Sequence, residues 1–226
     1  MSEPPDTTAP TSPHGPPSGA GQPGYGSRSD RRLVVAITGA SGARYALRFL
    51  QCATSHCSEI YVIVSDQAAQ VIELETGRAL HSGDAAVESL LGDRSDVVRL
   101  VDKRDYFSPP ASGSFRHDGM VIVPCSMGTA GRIAHGISDD LVTRAADVCL
   151  KERRPLILVP RETPWNLVHL RNMTQLAEAG ATILPASPAF YHLPQSIDDL
   201  VDHVVGRILQ QLGIEHRLVP EWQHER

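Results

Sequence analysis

The chain has 226 residues, 41% of them hydrophobic and 21% charged, with a formal net charge of -5. That size suits one α/β domain with an appendage rather than two domains, and the acidic balance argues against a nucleic-acid surface. No run approaches the roughly 20 apolar residues that span a bilayer, and the N-terminus has no apolar core of a secretory signal, so the expected location is the cytoplasm, away from membranes.

Residues up to Asp30 are rich in Pro, Gly, Ser and Thr and nearly free of aliphatic side chains. Such a segment buries too little apolar surface to offset its ordering entropy, and residues 1–30 are predicted to be a disordered tail ahead of a single domain over 31–226. Glu3 and Asp6 fit a mitochondrial presequence poorly. The four cysteines, Cys52, Cys57, Cys125 and Cys149, form no Cys-x-x-Cys pair and have no histidine at zinc-ligand spacing, so neither a metal site nor a disulfide is expected.

Leu33 to Ile37 is an apolar, β-branched run of the kind a central parallel strand needs when both its faces are buried. Thr38-Gly-Ala-Ser-Gly-Ala43 then turns the chain into a helix carrying Ala46, Leu47 and Leu50; its glycines admit a ligand close to the backbone and Ser41 adds a hydroxyl. The Gly-x-x-Gly spacing is not the Gly-x-Gly-x-x-Gly of dinucleotide binders, which disfavours an NAD dehydrogenase. Ile60 to Val64 is the second predicted strand. The Ser65-Asp66 that follows is either a helix cap or an acid gripping a ribose, with the cap preferred. Glu75, in the next helix, is solvated by default.

Ala85 to Leu91 is predicted as a short helix and Val97 to Val101 as a strand. Tyr106 to Ser114, full of proline and small polar residues, reads as a surface link or ligand cover that packs no core. Val121-Ile-Val-Pro-Cys-Ser-Met-Gly-Thr129 is the stretch around which the rest is organised: a buried strand stops at the proline, a polar turn follows, and a helix is expected from Gly131. Backbone N–H groups and the positive end of a helix converge there into an anion site. Cys125 in that turn is either a nucleophile or, in the plainer reading, a small buried residue.

Asp139 or Asp140 caps the next predicted helix, Leu141 to Glu152, on which Arg144 and Lys151 stand two turns apart, facing either an anion or solvent. Pro155 to Val159 is another buried strand, followed by Arg161-Glu162, a helix from Trp165 to about Ala179 with Gly180 after it, and a short strand Ala181 to Leu184. The proline-rich Pro185 to Pro194 has no regular structure in this reading. Ser196 caps a last helix, Ile197 to Leu212, with Leu200, Val201, Val204, Ile208 and Leu212 on its apolar stripe and Arg207 either solvated or turned to the crevice. Trp222 places a large aromatic near the end, expected to dock on the core or on a neighbouring subunit. The alternation predicts a doubly wound, Rossmann-like three-layer sandwich, mainly parallel, with five or six strands and its ligand at the strand carboxyl ends.

Six blocks, Thr38-Gly-Ala-Ser-Gly-Ala43, Pro124-Cys-Ser-Met-Gly-Thr129, Arg144-Ala-Ala-Asp-Val148, Lys151-Glu-Arg-Arg154, Pro160-Arg-Glu-Thr-Pro164 and Pro188-Ala-Phe-Tyr191, stand in the order of the UbiX-type flavin prenyltransferases, which the chain resembles from about Arg32 to Trp222. The resemblance implies an enzyme that binds FMN and dimethylallyl phosphate. It implies that the prenyl group is joined to N5 and C6 of reduced flavin without a metal, and that the prenylated FMN goes to UbiD-type decarboxylases. It also implies a homo-oligomer, commonly a dodecamer, with sites at subunit interfaces. Matched position by position, Gly39, Ala40, Ser41, Ser65, Ser126, Met127, Gly128, Thr129 and Arg161 belong to FMN, and Lys151, Tyr191 and Arg207 to the donor phosphate. Glu162, Ser41, Glu75 and Arg144 match active-site positions. Glu162, relayed by Ser41, is the expected proton shuttle for the leaving phosphate, and the cations with the Tyr191 phenol stabilise its charge.

Two positions depart from the family pattern: Tyr106 stands where many members have Trp, and Ala130 where many have Leu. The related cysteine decarboxylases resemble the chain less, because Pro124-Cys-Ser-Met-Gly-Thr129 replaces their Pro-Ala-Ser-Ala-Asn-Thr and their Pro-x-Met-Asn-x-x-Met-Trp block is missing. A non-catalytic flavin carrier would leave Lys151, Glu162, Tyr191 and Arg207 without a purpose.

Overall fold

The computed structural model describes residues 30–81, 85–93 and 95–219. The predicted tail before Asp30, and Trp222, lie outside the described residues. Six strands, β1 (Arg32–Ile37), β2 (Glu59–Val64), β3 (Val98–Val101), β4 (Met120–Cys125), β5 (Leu156–Pro160) and β6 (Thr182–Ile183), form one sheet in the order β3-β2-β1-β4-β5-β6. Every pairing is parallel. The described helices are α1 (Ala43–Ala53), α2 (Asp66–Thr76), α3 (Ala86–Leu91), α4 (Met127–Ala134), α5 (Leu141–Lys151), α6 (Leu167–Glu178) and α7 (Ile197–Gln211). This is the doubly wound, Rossmann-like sandwich the alternation predicts.

The period of two in β1 builds both cores. Leu33, Val35 and Ile37 enter one with Phe49 and Leu50 of α1 and Val204 and Ile208 of α7. Val34 and Ala36 enter the other with Ala130 of α4, Leu141 and Ala145 of α5 and Met173 and Leu176 of α6. A strand covered on both sides must be apolar throughout, which is why β1 and β4 read as unbroken hydrophobic runs. Of the stripe predicted on α7, Val201, Val204, Ile208 and Leu212 are buried; Leu200 is only half-buried.

Four sequence expectations need correction. The central strand does not stop at Pro124 but runs to Cys125, with a register shift against β5 after Ile122, where the proline has no N–H for the ladder. The helix after it starts at Met127 rather than Gly131, because the Ser126 hydroxyl accepts from the Thr129 N–H at 3.3 Å. Similarly α6 starts at Leu167, not Trp165, since the Asn166 side chain accepts from the His169 N–H at 2.9 Å. The proline-rich segment after Tyr106 does pack a core: Pro109–Ala111 forms a 3₁₀ turn against α5, and Ala111 joins the second cluster.

Of the two candidate caps for α5, Asp140 is the one used, in a capping box with Thr143, while its carboxylate also receives the Arg132 guanidinium at 2.9 Å. Burial alone would raise the Asp140 carboxyl, but the Thr143 N–H and Arg132 bring it below its ordinary value. A lowered folded value gives a contribution complete above the unfolded carboxylate range, about pH 4, and lost as pH falls through the folded value. Asp140→Asn keeps the cap and removes the titration. It should therefore lower the urea midpoint at neutral pH, where the Arg132 pair is lost, and converge with the wild type in acid, which flattens the acid limb of a midpoint-versus-pH curve.

Candidate active site at the switch between β1 and β4

The strand order reverses between β1 and β4, so the loops leaving their carboxyl ends part and open a crevice. Thr38 staples that point. Its buried hydroxyl donates to the Pro124 carbonyl at 2.9 Å and accepts from the Ser126 N–H at 2.8 Å. The Thr38 N–H donates to the same carbonyl at 3.2 Å, and together these bonds fix Ser126 at the mouth of α4. Thr38 was not among the predicted site residues, although it sits at the head of the glycine turn.

A cavity of about 640 Å³ lies over these ends, lined by Gly39, Ser65, Gln67, Lys103, Arg104, Ser126, Gly128, Thr129 and Arg132, among others. The predicted Gly39, Ser65, Ser126, Gly128 and Thr129 are thus brought together. Ser65 is the cap preferred from sequence, its hydroxyl accepting from Ala68 N–H, while Asp66 pairs with Lys103. Ala40 and Met127 are buried beside the cavity rather than lining it. Lys103 and Arg104, at the end of β3, escaped sequence reasoning, although the strand-end rule that found Ser65 applies to them as well.

The lining suits a phosphorylated ligand. A Cβ at Gly128 would meet nothing within 4 Å, so the first turn of α4 presents open backbone; a Cβ at Gly39 would lie 2.5 Å from the Gln67 Cβ, so only glycine fits there. Serine hydroxyls, the amino end of α4 and three cations surround the space; Asp139 and Asp140 line it too and pair with Arg132, and Lys103 pairs with Asp66, which leaves Arg104 and the α4 backbone as its main positive features. The volume falls within the range of small-molecule sites. Among the described residues no cluster of potential metal ligands occurs.

A second cavity, of about 470 Å³, is lined by Ser41, Gly42, Tyr45, Glu75, Arg161 and Ile197, among others. The Arg161 Nε donates to the Ser41 carbonyl at 3.1 Å, tying the loop after β5 to the glycine turn. Glu75 is not the solvated residue of the default reading: its carboxylate accepts from the Gly42 N–H at 2.9 Å and the Ala43 N–H at 2.8 Å, supplying the cap that Gly42 lacks. Glu75→Ala should cost about 1–2 kcal/mol in chemical denaturation, the worth of a half-exposed charged cap.

Glu162 is exposed, with Oε1 accepting from Thr163 N–H at 2.9 Å. The relay expected with Ser41 is not a direct hydrogen bond among the described residues. Tyr191 is 60% exposed in the loop after β6, and Arg207 on α7 is exposed, donating to Gln210. Glu162, Tyr191, Arg207, Arg144 and Lys151 line neither cavity; Arg144 donates to the Ala111 carbonyl at 3.1 Å and pairs with Asp147, and Lys151 pairs with Glu152. Cys125 is fully buried, and burial pushes its thiol up to about 12, which removes it as a nucleophile.

A parallel sheet with a phosphate-accepting crevice at its switch point defines a nucleotide-type cofactor-binding protein, and the family model described as Flavoprotein matches residues 23–209. A flavin prenyltransferase UbiX of Pseudomonas aeruginosa is 48% identical over 195 residues, covering 84% of this chain and 93% of its own. The crystal structure of AnUbiX (PadA1) in complex with FMN and dimethylallyl pyrophosphate superposes with a TM-score of 0.77 at 42% identity, covering 87% of this chain and all of that one. A dodecameric FMN-dependent UbiX-like decarboxylase from Escherichia coli O157:H7 gives 0.76 at 42% identity, covering 85% and 99%. The chain belongs to the UbiX flavin prenyltransferase family of flavoproteins.

Proposed function

We propose that this protein is a flavin prenyltransferase that joins the dimethylallyl group of dimethylallyl phosphate to N5 and C6 of reduced FMN and releases phosphate. The observation that carries this reading is the convergence of Gly39, Ser65, Ser126, Gly128 and Thr129, from the ends of β1, β2 and β4, on one cavity. FMN, when bound and reduced, supplies the nucleophilic positions. The chain's own residues do the rest. Ser126, Gly128 and Thr129 hold the flavin from the amino end of α4. Arg161 closes the crevice over the glycine turn. Tyr191 and Arg207 bind the donor phosphate, and Glu162 delivers a proton to its departing oxygen.

Lys151 and Arg144 line neither cavity of one chain; in this reading they serve the site of a neighbouring copy, in a homo-oligomer. The product serves a UbiD-type decarboxylase, and the four free cysteines suit a cytoplasmic setting. Anaerobic incubation with reduced FMN and dimethylallyl phosphate, followed by mass spectrometry of the flavin, tests the reading. A flavin heavier by one prenyl unit is expected. Unmodified FMN bound to folded protein would favour a carrier or a decarboxylase instead.

A further inference from the structure

The charges around the cavity at the switch point are not equivalent. Lys103, Arg104 and Arg132 line it together with Asp139 and Asp140. Arg132 is spent on both aspartates, at 2.5 and 2.9 Å. Lys103 pairs with Asp66 in the first turn of α2. Arg104 differs from both. Among the described residues its guanidinium has no hydrogen bond and no carboxylate in ion-pair range; it lowers the Asp66 carboxyl only from farther off, after Lys103.

The turn that carries Arg104 is fixed on both sides. Its own N–H donates to the Asp102 carboxylate at 2.7 Å, and the Asp105 N–H donates to the Asp102 carbonyl at 2.9 Å. Towards α2 the Lys103 side chain holds Asp66. Towards α5 the Lys103 carbonyl accepts from the Leu141 N–H at 2.7 Å, and the Tyr106 hydroxyl donates to the Ser138 carbonyl at 3.3 Å. The backbone is thus pinned between the starts of two helices, and the exposed Arg104 side chain is left uncommitted over the cavity. A guanidinium presents a rigid fork of donors that matches phosphate oxygens. Formally, Lys103, Arg104 and Arg132 cancel Asp66, Asp139 and Asp140; without Arg104 the sum is negative. Arg104 therefore decides whether an approaching dianion meets a balanced or a repelling crevice.

We propose that Arg104 reads the cofactor phosphate: its guanidinium closes on the phosphate held at Ser126 and Gly128, and so makes the protein select FMN over riboflavin. The inference rests on the flavin site proposed above. The two flavins share the same ring system, so a side chain that meets only the phosphate changes the ratio of their affinities and leaves riboflavin binding alone.

The test is equilibrium titration of the flavin-free, full-length chain with oxidised FMN and with riboflavin, followed by flavin fluorescence. The wild type is expected to prefer FMN. Arg104→Gln should weaken FMN by about 10- to 30-fold and leave riboflavin within about twofold. Arg104→Lys, which keeps the charge and loses the fork, should recover part of the difference. FMN affinity should fall less with added salt in Arg104→Gln than in the wild type. The unfolding midpoint should hold in both variants, because the side chain has no partner to lose. Unchanged FMN affinity in Arg104→Gln, an equal loss for both flavins, or a wild type that binds riboflavin as tightly as FMN overturns the inference alone. A folded wild type that takes up neither flavin overturns the flavin reading of the crevice itself.

Discussion

Glu162→Gln should slow prenyl transfer by about 100- to 10,000-fold, the range lost when a positioned proton donor is removed. A phosphate leaves readily only when its oxygen is protonated, and the thiol in the organising turn cannot serve, being fully buried and raised to about 12. Glu75, the carboxylate lining the second cavity, already answers two N–H groups of α1, and Asp139 and Asp140 at the first pair with Arg132. Glu162 remains exposed and carries the negative group closest in sequence to Arg161, whose side chain ties the same loop to the glycine turn. That loop is further anchored by the Trp165 indole, which donates to the Glu162 carbonyl at 2.9 Å, so the amide replacement should leave the backbone in place. Anaerobic single-turnover mass spectrometry measures the rate, and flavin fluorescence measures FMN affinity. A slow variant with unchanged FMN affinity supports the role; an unchanged rate removes Glu162 from the proton transfer.

The sheet was readable from sequence because its strands are β-branched runs buried on both faces, a pattern with few alternatives. The starts expected at Gly131 and Trp165 differ from the observed ones for one reason: the polar caps Ser126 and Asn166 set each start, and the apolar periodicity of the helix does not mark them. Residues brought together by topology were partly legible. Gly39, Ser65 and Ser126 could be placed in one crevice because all follow strand ends, and Lys103 and Arg104 follow β3 by the same rule. Glu75 was different. Its partners lie more than thirty positions earlier in the chain, and nothing local in its helix shows that the carboxylate turns back to the start of α1. The Thr38 bridge was hidden for the same reason: it depends on Pro124, a residue from the neighbouring strand.

Gly39→Ala should weaken FMN binding by about 10- to 100-fold and cost about 1–3 kcal/mol of stability. The new Cβ would stand 2.5 Å from the Cβ of Gln67, an atom fixed to the first turn of α2 that cannot swing aside. Either α2 or the glycine turn must shift. The turn is held by Thr38, through the Ala40 N–H to its carbonyl at 2.7 Å and through its hydroxyl to Pro124 and Ser126. Movement there therefore reaches the amino end of α4 on the other side of the crevice. Gly128→Ala makes the contrast. Its Cβ meets nothing within 4 Å, and an alanine in the first turn of α4 suits a helix better than glycine, so the unfolding midpoint should hold or rise. Any fall in FMN affinity in that variant then comes from the added methyl group standing between the flavin and the backbone of α4. Comparing both variants by thermal unfolding and flavin titration separates the two roles of glycine here: at position 39 it lets two elements touch, and at position 128 it leaves the backbone open to the ligand.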